Sequence, residues 1–194
     1  TQVRPADGME YPAQKWVDIY TGGYGIALIN NGRYAHDMQG NTIRLSILRS
    51  PTQPAYNTDE GIHSLQYSIY PHRERWNESP VVQRSYEFNY PLTAIAPTRH
   101  TGAEPGKKSF LSIHPENVLL EVVKKAYDSD RTVLRFCEKY GRSQNASITF
   151  SSPLREAQET DLLENPLCVL SVLGNQLEFS LKPYEIKTIE VAFK

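Results

Sequence analysis

The clearest strand pattern in the chain is QLEFSLKPYEIKTIEVAF, residues 176–193. In its first part, Leu177, Phe179 and Leu181 alternate with polar residues, which directs the apolar side chains to one face of a strand. A second strand-like run, Ile186–Phe193, follows after a short polar interval. The pattern predicts two consecutive strands of an all-β domain.

Earlier segments carry related patterns. Alternating residues predicted to face a core are Ile43, Leu45, Ile47, Leu65, Tyr67 and Ile69. Gly25–Ile29 is apolar throughout, which favours an interior strand, and Val118–Val123 is nearly so. Residue pairs that favour the positive φ of tight hairpin turns are Asn31-Gly32, Gly40-Asn41 and Gly174-Asn175.

One short helix and one long loop interrupt these strands. Ser79 is predicted to cap a helix with Pro80 at its first position, and Pro91 would end the helix after about two turns. The segment Ala96–Lys108 is rich in Pro, Gly and charge, which predicts a loop. Beyond it, six predicted strands suffice for a small sandwich, with a boundary near residues 113–116: Val118–Ala126, Thr132–Glu138, Ala146–Phe150, Leu167–Leu173, Gln176–Leu181 and Ile186–Phe193.

Composition narrows the class of protein. The 194 residues carry 21 Lys+Arg against 22 Asp+Glu, and this balance argues against a nucleic-acid-binding protein. We find no apolar stretch long enough for a membrane span and no leader pattern in the first ten residues, so we expect a cytoplasmic protein. Cys137 and Cys168 are predicted to be buried, unreactive thiols in a reducing compartment.

The densest polar cluster lies between Arg49 and His72. Within it, Asp59 and His63 stand four residues apart, so the carboxylate could orient the imidazole or the two could join a metal site. The alternative is a polar loop in which Asp59 caps a turn and His63 lies at a strand edge. Rigid loops on a sheet often carry binding residues, which makes this cluster the best local candidate.

Other candidates are less specific. Aromatic side chains that could stack on a sugar ring, or equally fill a core, are Trp16, Tyr20, Tyr24, Tyr34, Trp76 and Tyr90. Carboxylates that could serve glycoside hydrolysis are Asp18, Asp37, Asp59, Glu60, Asp161 and Glu164, with the last two more typical of a structural turn. No phosphate-binding loop or nucleophile motif is present.

Several spaced blocks resemble glycoside hydrolase family 38, the α-mannosidases. They are WVDI at 16–19, GYGIALINN at 23–31, LSILRSP at 45–51, DEGIH at 59–63, YSIYPH at 67–72, KKA at 124–126, VLRF at 133–136 with Glu138, DLLE at 161–164 and KPYEIKT at 182–188. The resemblance is to the C-terminal β region of the cytosolic and bacterial branch. It covers nearly all of the chain after about residue 9.

The resemblance implies a retaining, zinc-dependent α-mannosidase whose aspartate nucleophile and zinc ligands lie on a preceding catalytic domain. No residue of this chain matches them, so we expect no catalytic residue and no metal site here, and an inactive isolated chain. The implied fold is all-β: residues 1–114 are late strands of a large, mutarotase-like antiparallel sandwich, and residues 115–194 are a small sandwich. A truncated sheet exposes an edge or an apolar face, so we expect the fragment to dimerise or rearrange there.

The resemblance also suggests a role for the polar cluster. We hypothesise that Asp59, Gly61 and His63 lie on a loop near the sugar site of the catalytic domain, with Arg49 supporting the loop. Gly61 would permit a tight turn. Two other functions stay open: a free-standing carbohydrate-binding module, and a mutarotase-like enzyme with His63 or His72 and a carboxylate as its acid–base pair.

Overall fold

The structure is a computed structural model that describes residues 1–56, 58–96, 98, 101–103 and 105–194. Its contacts divide the chain into two compact units, residues 2–97 and residues 98–194 with Thr1. This division falls earlier in the sequence than the boundary predicted between residues 114 and 115, which stays a prediction. Of the predicted loop 96–108, residues 97, 99, 100 and 104 lie outside the described residues, and its described part contains no helix or strand.

The first unit contains two three-stranded antiparallel sheets, with strand orders β1-β4-β5 and β2-β3-β6. Its elements are β1 (Asp7–Pro12), β2 (Trp16–Thr21), β3 (Tyr24–Asn31), β4 (Ala35–Gln39), β5 (Thr42–Leu45), β6 (Gln66–His72) and α1 (Val81–Asn89). β3 is the central strand of its sheet, as the apolar run in this segment predicts. In the described part of the chain, no helix is long and apolar enough to cross a membrane.

Helix α1 covers one face of the β2-β3-β6 sheet. Ala27 and Ile29 of β3 are buried, and Arg84 of the helix hydrogen-bonds Tyr70, the β6 residue paired with Ala27. The helix lies close to its predicted position and ends before Pro91. Pro80, however, is the N-cap residue rather than the first helical residue.

The face that α1 covers corrects the prediction for β6. Tyr67 and Ile69, predicted to face a core, are 53% and 62% exposed. Ser68, Tyr70 and His72 lie on the covered face instead. Period-two alternation separates the two faces of a strand but does not say which face is buried, so a polar set was buried and an apolar set exposed.

Two of the three predicted hairpin turns are confirmed. Gly40-Asn41 joins β4 to β5, and Gly174-Asn175 also joins paired strands. Asn31-Gly32 is not a hairpin turn, because β3 and β4 belong to different sheets. A hairpin that the sequence reading overlooked closes β2 on β3 through Gly22-Gly23, where both residues have positive φ.

The second unit is a small sandwich of a four-stranded sheet, β13-β14-β10-β7, and a five-stranded sheet, β12-β11-β15-β9-β8. Its strands are β7 (Leu111–His114), β8 (Val118–Lys125), β9 (Thr132–Glu138), β10 (Gln144–Phe150), β11 (Leu154–Thr160), β12 (Pro166–Leu170), β13 (Val172–Leu173), β14 (Gln176–Leu181) and β15 (Ile186–Phe193). Phe136 of β9 and Phe179 of β14 pack with ring centroids 5.1 Å apart, which joins the two sheets in one core.

The sandwich departs from the predicted strands in three respects. β11 was not predicted, and β7 lies where only a strand-like composition from Phe110 was noted. The run Leu167–Leu173 is not one strand, because the chain passes from one sheet to the other at Ser171. β8 was predicted to be nearly an interior strand but is the last strand of its sheet among the described residues, and Val123 in it is 60% exposed.

The two cysteines differ in their surroundings. Cys137 is buried, as predicted, and burial raises the pKa of its thiol. Cys168 is exposed, contrary to the prediction. It lies on β12, the other end strand of the five-stranded sheet, where less of the strand is covered.

Glu138 is a buried carboxylate held by amide groups. It accepts hydrogen bonds from the side-chain amide of Asn117 at 2.8 Å and from the backbone N–H groups of Tyr140, Gly141, Arg142 and Tyr184 at 2.7–3.1 Å. Burial alone would raise the pKa of this carboxyl, but these donors hold the pKa below its ordinary value.

We predict that Glu138→Gln lowers the free energy of unfolding by about 2–4 kcal/mol at pH 7, because it removes a buried anion that satisfies several donors. Since the pKa is lowered in the folded state, this stabilisation is present above the unfolded pKa and is lost as pH falls through the folded pKa. Urea unfolding followed by circular dichroism should therefore show a difference that shrinks in acid. Glu178→Gln, at an exposed β14 position, is the control; an equal effect of the two substitutions would contradict the role of Glu138.

Candidate functional site

The predicted loop residues Arg49, Asp59, Gly61 and His63 lie in residues 46–63 of the first unit, between β5 and β6, and we call this segment the loop 46–63. Ser46 anchors its start, donating from its hydroxyl to the Glu10 carboxylate of β1 at 2.5 Å. Arg49 forms an ion pair with the same carboxylate. Both contacts join the start of the loop to β1 through Glu10, and the supporting role of Arg49 stays a prediction.

The carboxylate and the backbone carbonyl of Asp59 close the loop. Oδ2 of Asp59 accepts the backbone N–H of Ser50 at 2.8 Å, and the Asp59 carbonyl lies 2.8 Å from Nε2 of His63. Because a carbonyl only accepts, Nε2 of His63 carries the hydrogen, which leaves Nδ1 of the neutral ring as an acceptor. The Thr58 hydroxyl adds a bond to the Pro51 carbonyl at 3.0 Å.

The chain turns back towards β6 at Gly61. Its φ is +131°, a value that L side chains rarely adopt, and the space around it is open. The requirement for glycine is thus conformational, as the sequence hypothesis states, rather than steric. The structure brings Asp59, Gly61 and His63 together and leaves His63 exposed and Asp59 partly exposed.

A second polar pair, Asp18 and His72, is buried on the face of the β2-β3-β6 sheet that α1 covers. Nε2 of His72 lies 2.7 Å from Oδ1 of Asp18, and the two side chains are 2% and 5% exposed. Nδ1 of His72 donates to the Glu74 carbonyl at 2.6 Å. Burial raises the pKa of Asp18, and the hydrogen bond from His72 opposes that shift.

The Asp18–His72 pair holds one shared proton between its two facing atoms. Nδ1 must carry a hydrogen because its partner is a carbonyl, so Nε2 either donates to an ionised carboxylate or accepts from a protonated one. Tyr20 and Tyr70 stack on the imidazole, each at 6.2 Å between centroids. The pair is closed off from solvent and suits a structural role better than the acid–base role considered for His72.

Gly25 is what lets the ring of His72 fit. A Cβ at residue 25 would lie 2.3 Å from Cε1 of His72, so any side chain there would displace the imidazole. Both polar residues were named in the sequence as separate candidates, and their pairing was missed. The signal that could have found it is a glycine inside an apolar strand, which often marks a close approach by another group.

Several of the remaining candidates have structural partners, whereas Glu60 is exposed. Trp16 packs on Trp76 with centroids 5.6 Å apart, and Tyr90 packs on Tyr86, while Tyr24 and Tyr34 are exposed. The carboxylates are engaged as follows: Asp37 with Arg44, Glu164 with Lys124, and Asp161 with the backbone N–H groups of Leu163 and Asn165. Asp161 therefore forms the structural turn that the sequence predicts.

An open groove of about 620 Å³ lies at the β6 side of the first unit. It is lined by Leu65, Gln66, Tyr67, Glu87, Phe88 and Pro91. Among the described residues, no group of three or more His, Cys, Asp or Glu side chains is placed to hold a metal ion. The described residues thus do not fit a zinc site.

Comparison with known proteins places both ends of the chain in one family. Residues 1–57 match the glycosyl hydrolases family 38 C-terminal domain, and residues 117–189 match the family 38 C-terminal beta sandwich domain. The chain belongs to glycoside hydrolase family 38. It corresponds to the C-terminal region of the family's α-mannosidases, as the sequence resemblance predicts.

Relatives of this family 38 chain are much longer than it is. Alpha-mannosidase 2C1 of Mus musculus is 33% identical over 184 residues, and alpha-mannosidase G of Dictyostelium discoideum is 30% identical over 190 residues. The aligned regions cover 91% and 92% of this chain but 17% of each relative. A crystal structure of an alpha-mannosidase from Enterococcus faecalis V583 shares the fold, with a TM-score of 0.76 at 19% identity over 96% of this chain and 22% of that one.

We predict that Gly25→Ala lowers the free energy of unfolding of the first unit by about 3 kcal/mol, because the new methyl group displaces His72 from Asp18. Urea unfolding followed by tryptophan fluorescence measures this, since the chain's 2 Trp, at positions 16 and 76, both lie in residues 2–97. The comparison variant is Gly32→Ala, which has positive φ but open space and should cost about 1 kcal/mol.

A double-mutant cycle separates the clash from a general effect of alanine. In a His72→Ala background the clashing ring is absent, so Gly25→Ala should cost much less than in the wild-type chain. An undiminished cost in that background would rule out the ring contact as its cause.

Proposed function

We propose that this chain is the C-terminal, non-catalytic part of a zinc-dependent retaining α-mannosidase and that it scaffolds the catalytic domain. The observation that carries the proposal is its match to relatives named α-mannosidases over 91–92% of its own length but only 17% of theirs. Most of such a polypeptide lies outside this region. The hydrolytic activity, its α-mannoside substrate and its cytoplasmic location are proposals for the whole protein.

In the proposed reaction, the carboxylate nucleophile and the zinc ion belong to the catalytic domain. Retaining hydrolysis needs one carboxylate to attack the sugar and an acid to protonate the leaving group. The groups of this chain would orient substrate or hold the catalytic domain rather than react. Support for an orienting role comes from the loop 46–63, which is fixed to β1 through Glu10 and presents His63 to solvent.

The loop offers two kinds of hydrogen-bonding group to a sugar. Nδ1 of a neutral His63 is an acceptor, and the Arg49 guanidinium, 69% exposed, keeps donors available beyond its bond to Glu10. Sugar hydroxyls both donate and accept, so such a pair suits them. The hydrogen bonds of Asp59 to Ser50 and His63 would reduce the number of loop conformations before substrate binds.

We predict that Asp59→Ala and His63→Ala in the full-length protein each lower kcat/KM for an α-mannoside by about tenfold, since a misplaced positioning group is costly to a reaction. Steady-state kinetics would separate an effect on KM from one on kcat. The control is Asp128→Ala at an exposed turn of the second unit. Wild-type values of both constants in both loop variants would refute the role of the loop.

Zinc dependence has its own test. We predict that chelation removes the α-mannosidase activity of the full-length protein and that added Zn²⁺ restores it, because the metal would polarise substrate at the catalytic centre. Elemental analysis should find zinc in the full-length protein, whereas the 194-residue chain should keep its circular dichroism spectrum in chelator. Full activity after exhaustive chelation would contradict the proposal.

A further inference from the structure

β12 is an end strand of the five-stranded sheet, and most of it is exposed. It pairs with β11 on one side and, among the described residues, with no strand on the other. Its residues are exposed except for Leu170, and Leu167 and Val169 are 62% and 84% exposed. We call residues 167–170 the open edge, because a strand with one unpaired side offers backbone N–H and C=O groups to another strand.

The two end strands of this sheet differ in charge. β8, at the opposite end, carries Glu121, Lys124 and Lys125, and charged side chains of this kind keep an edge strand from pairing with other chains. β12 carries no charged residue, and neither does the whole run of residues 165–177. The open edge therefore lacks the protection that β8 has.

We propose that the open edge pairs with the open edge of a second copy of this chain, antiparallel and about a two-fold axis. The two five-stranded sheets then form one continuous sheet across the contact. The contact lies in the small sandwich, so it is separate from the exposed sheet expected in residues 1–114. It goes beyond the proposed function and does not depend on it.

The chemistry of the open edge selects this occupant. A two-fold axis near Cys168 sets Leu167, Cys168 and Val169 opposite the same three residues of the second copy. Every cross-strand pair among them is then apolar, and no like charges meet. A strand with charged side chains would lose their hydration here without compensation. Each copy supplies an uncharged strand already held extended by β11, whereas an uncharged strand from another segment of a longer polypeptide is the competing occupant.

The turn before β12 enlarges the contact. Leu162 and Leu163 in this turn are 58% and 84% exposed. Together with Leu167 and Val169, they place four exposed aliphatic side chains within residues 162–169. Pairing of one short strand buries little area by itself, and these side chains add apolar surface that association removes from water.

The native thiol of Cys168 reports on this pairing, because it is exposed and lies within the open edge. Near the two-fold axis the two Cys168 residues are directly opposite or diagonal, at about 5 Å or about 7–8 Å, so a short bismaleimide can join them. We expect about tenfold more cross-linked dimer in the full-length protein than in its Cys168→Ser variant, since pairing raises the effective thiol concentration. Val123→Cys in the Cys168→Ser background is the control, at a 60% exposed position on β8, and should stay at the Cys168→Ser level.

A charge placed in the open edge tests the contact without cross-linking. Val169→Lys sets like charges close together across the two-fold axis, so sedimentation velocity should show association at least about tenfold weaker than in the wild-type protein. Mixing Val169→Lys with Val169→Glu should restore association, because opposite charges then meet. Val123→Lys on β8 is the matched control and should associate as the wild-type protein does. Residue 169 is 84% exposed, so we expect these variants to keep the wild-type circular dichroism spectrum.

Three results would overturn the proposal. The first is a full-length protein that stays monomeric and cross-links no more than Cys168→Ser does. The second is a monomer in which Cys168 resists labelling by a maleimide, which would assign the open edge to another segment of the polypeptide. The third is association that Val169→Lys leaves unchanged, which would place the contact between copies elsewhere. None of these results depends on whether the protein hydrolyses α-mannosides.

Discussion

A β-sheet has two faces, and in the first unit α1 can cover only one of them. That constraint governs the rest of the unit. The covered face holds Asp18 and His72 as well as the apolar Ala27 and Ile29, so it combines packing with a buried polar pair. The other face leaves part of its apolar surface, including Ile26 and Ile69, in contact with water, which is an energetic deficit of about 25 cal/mol for each Å² left uncovered.

The buried pair explains why the covered face is not simply apolar. A histidine or a carboxylate alone would be costly at this depth, but together they share a proton and satisfy each other. The fit depends on the missing side chain at Gly25 and on the Glu74 carbonyl. The hydrogen bonds among Asp18 on β2, His72 on β6 and the Glu74 carbonyl thus help to fix the relative positions of these segments. Apolar contacts alone would fix those positions less strictly.

Local chemistry predicted much of this structure and also shows where such prediction ends. The alternation of Leu177, Phe179 and Leu181 identified β14 and its buried face correctly. The neighbouring strands β13 and β10 turn the same face of the sheet towards the core. The equally regular alternation of Tyr67 and Ile69 identified a strand but predicted the wrong buried face. Which face of β6 is buried depends on helix α1, which begins fourteen residues after Tyr67. The prediction of the buried face failed because the contact that determines it lies farther along the sequence, not because the alternating pattern was weak.

The candidate loop shows the same division. Asp59, Gly61 and His63 are close in the chain, and the sequence hypothesis placed them on one loop, where the structure has them. The Asp18–His72 pair joins residues 54 positions apart, and no local pattern states that contact. Glu138 likewise depends on donors from Asn117 and Tyr184, which only the folded sandwich brings together.

The passage of the chain between sheets at Ser171 has a mechanical meaning for the small sandwich. β12 and β13 are almost continuous in sequence but hydrogen-bond in opposite layers, each as an end strand among the described residues, so this short segment connects the edges of the two sheets. Separating the two sheets at this point would break the hydrogen bonds of β12 to β11 or those of β13 to β14. We therefore expect the two layers of this sandwich to lose their structure together on heating.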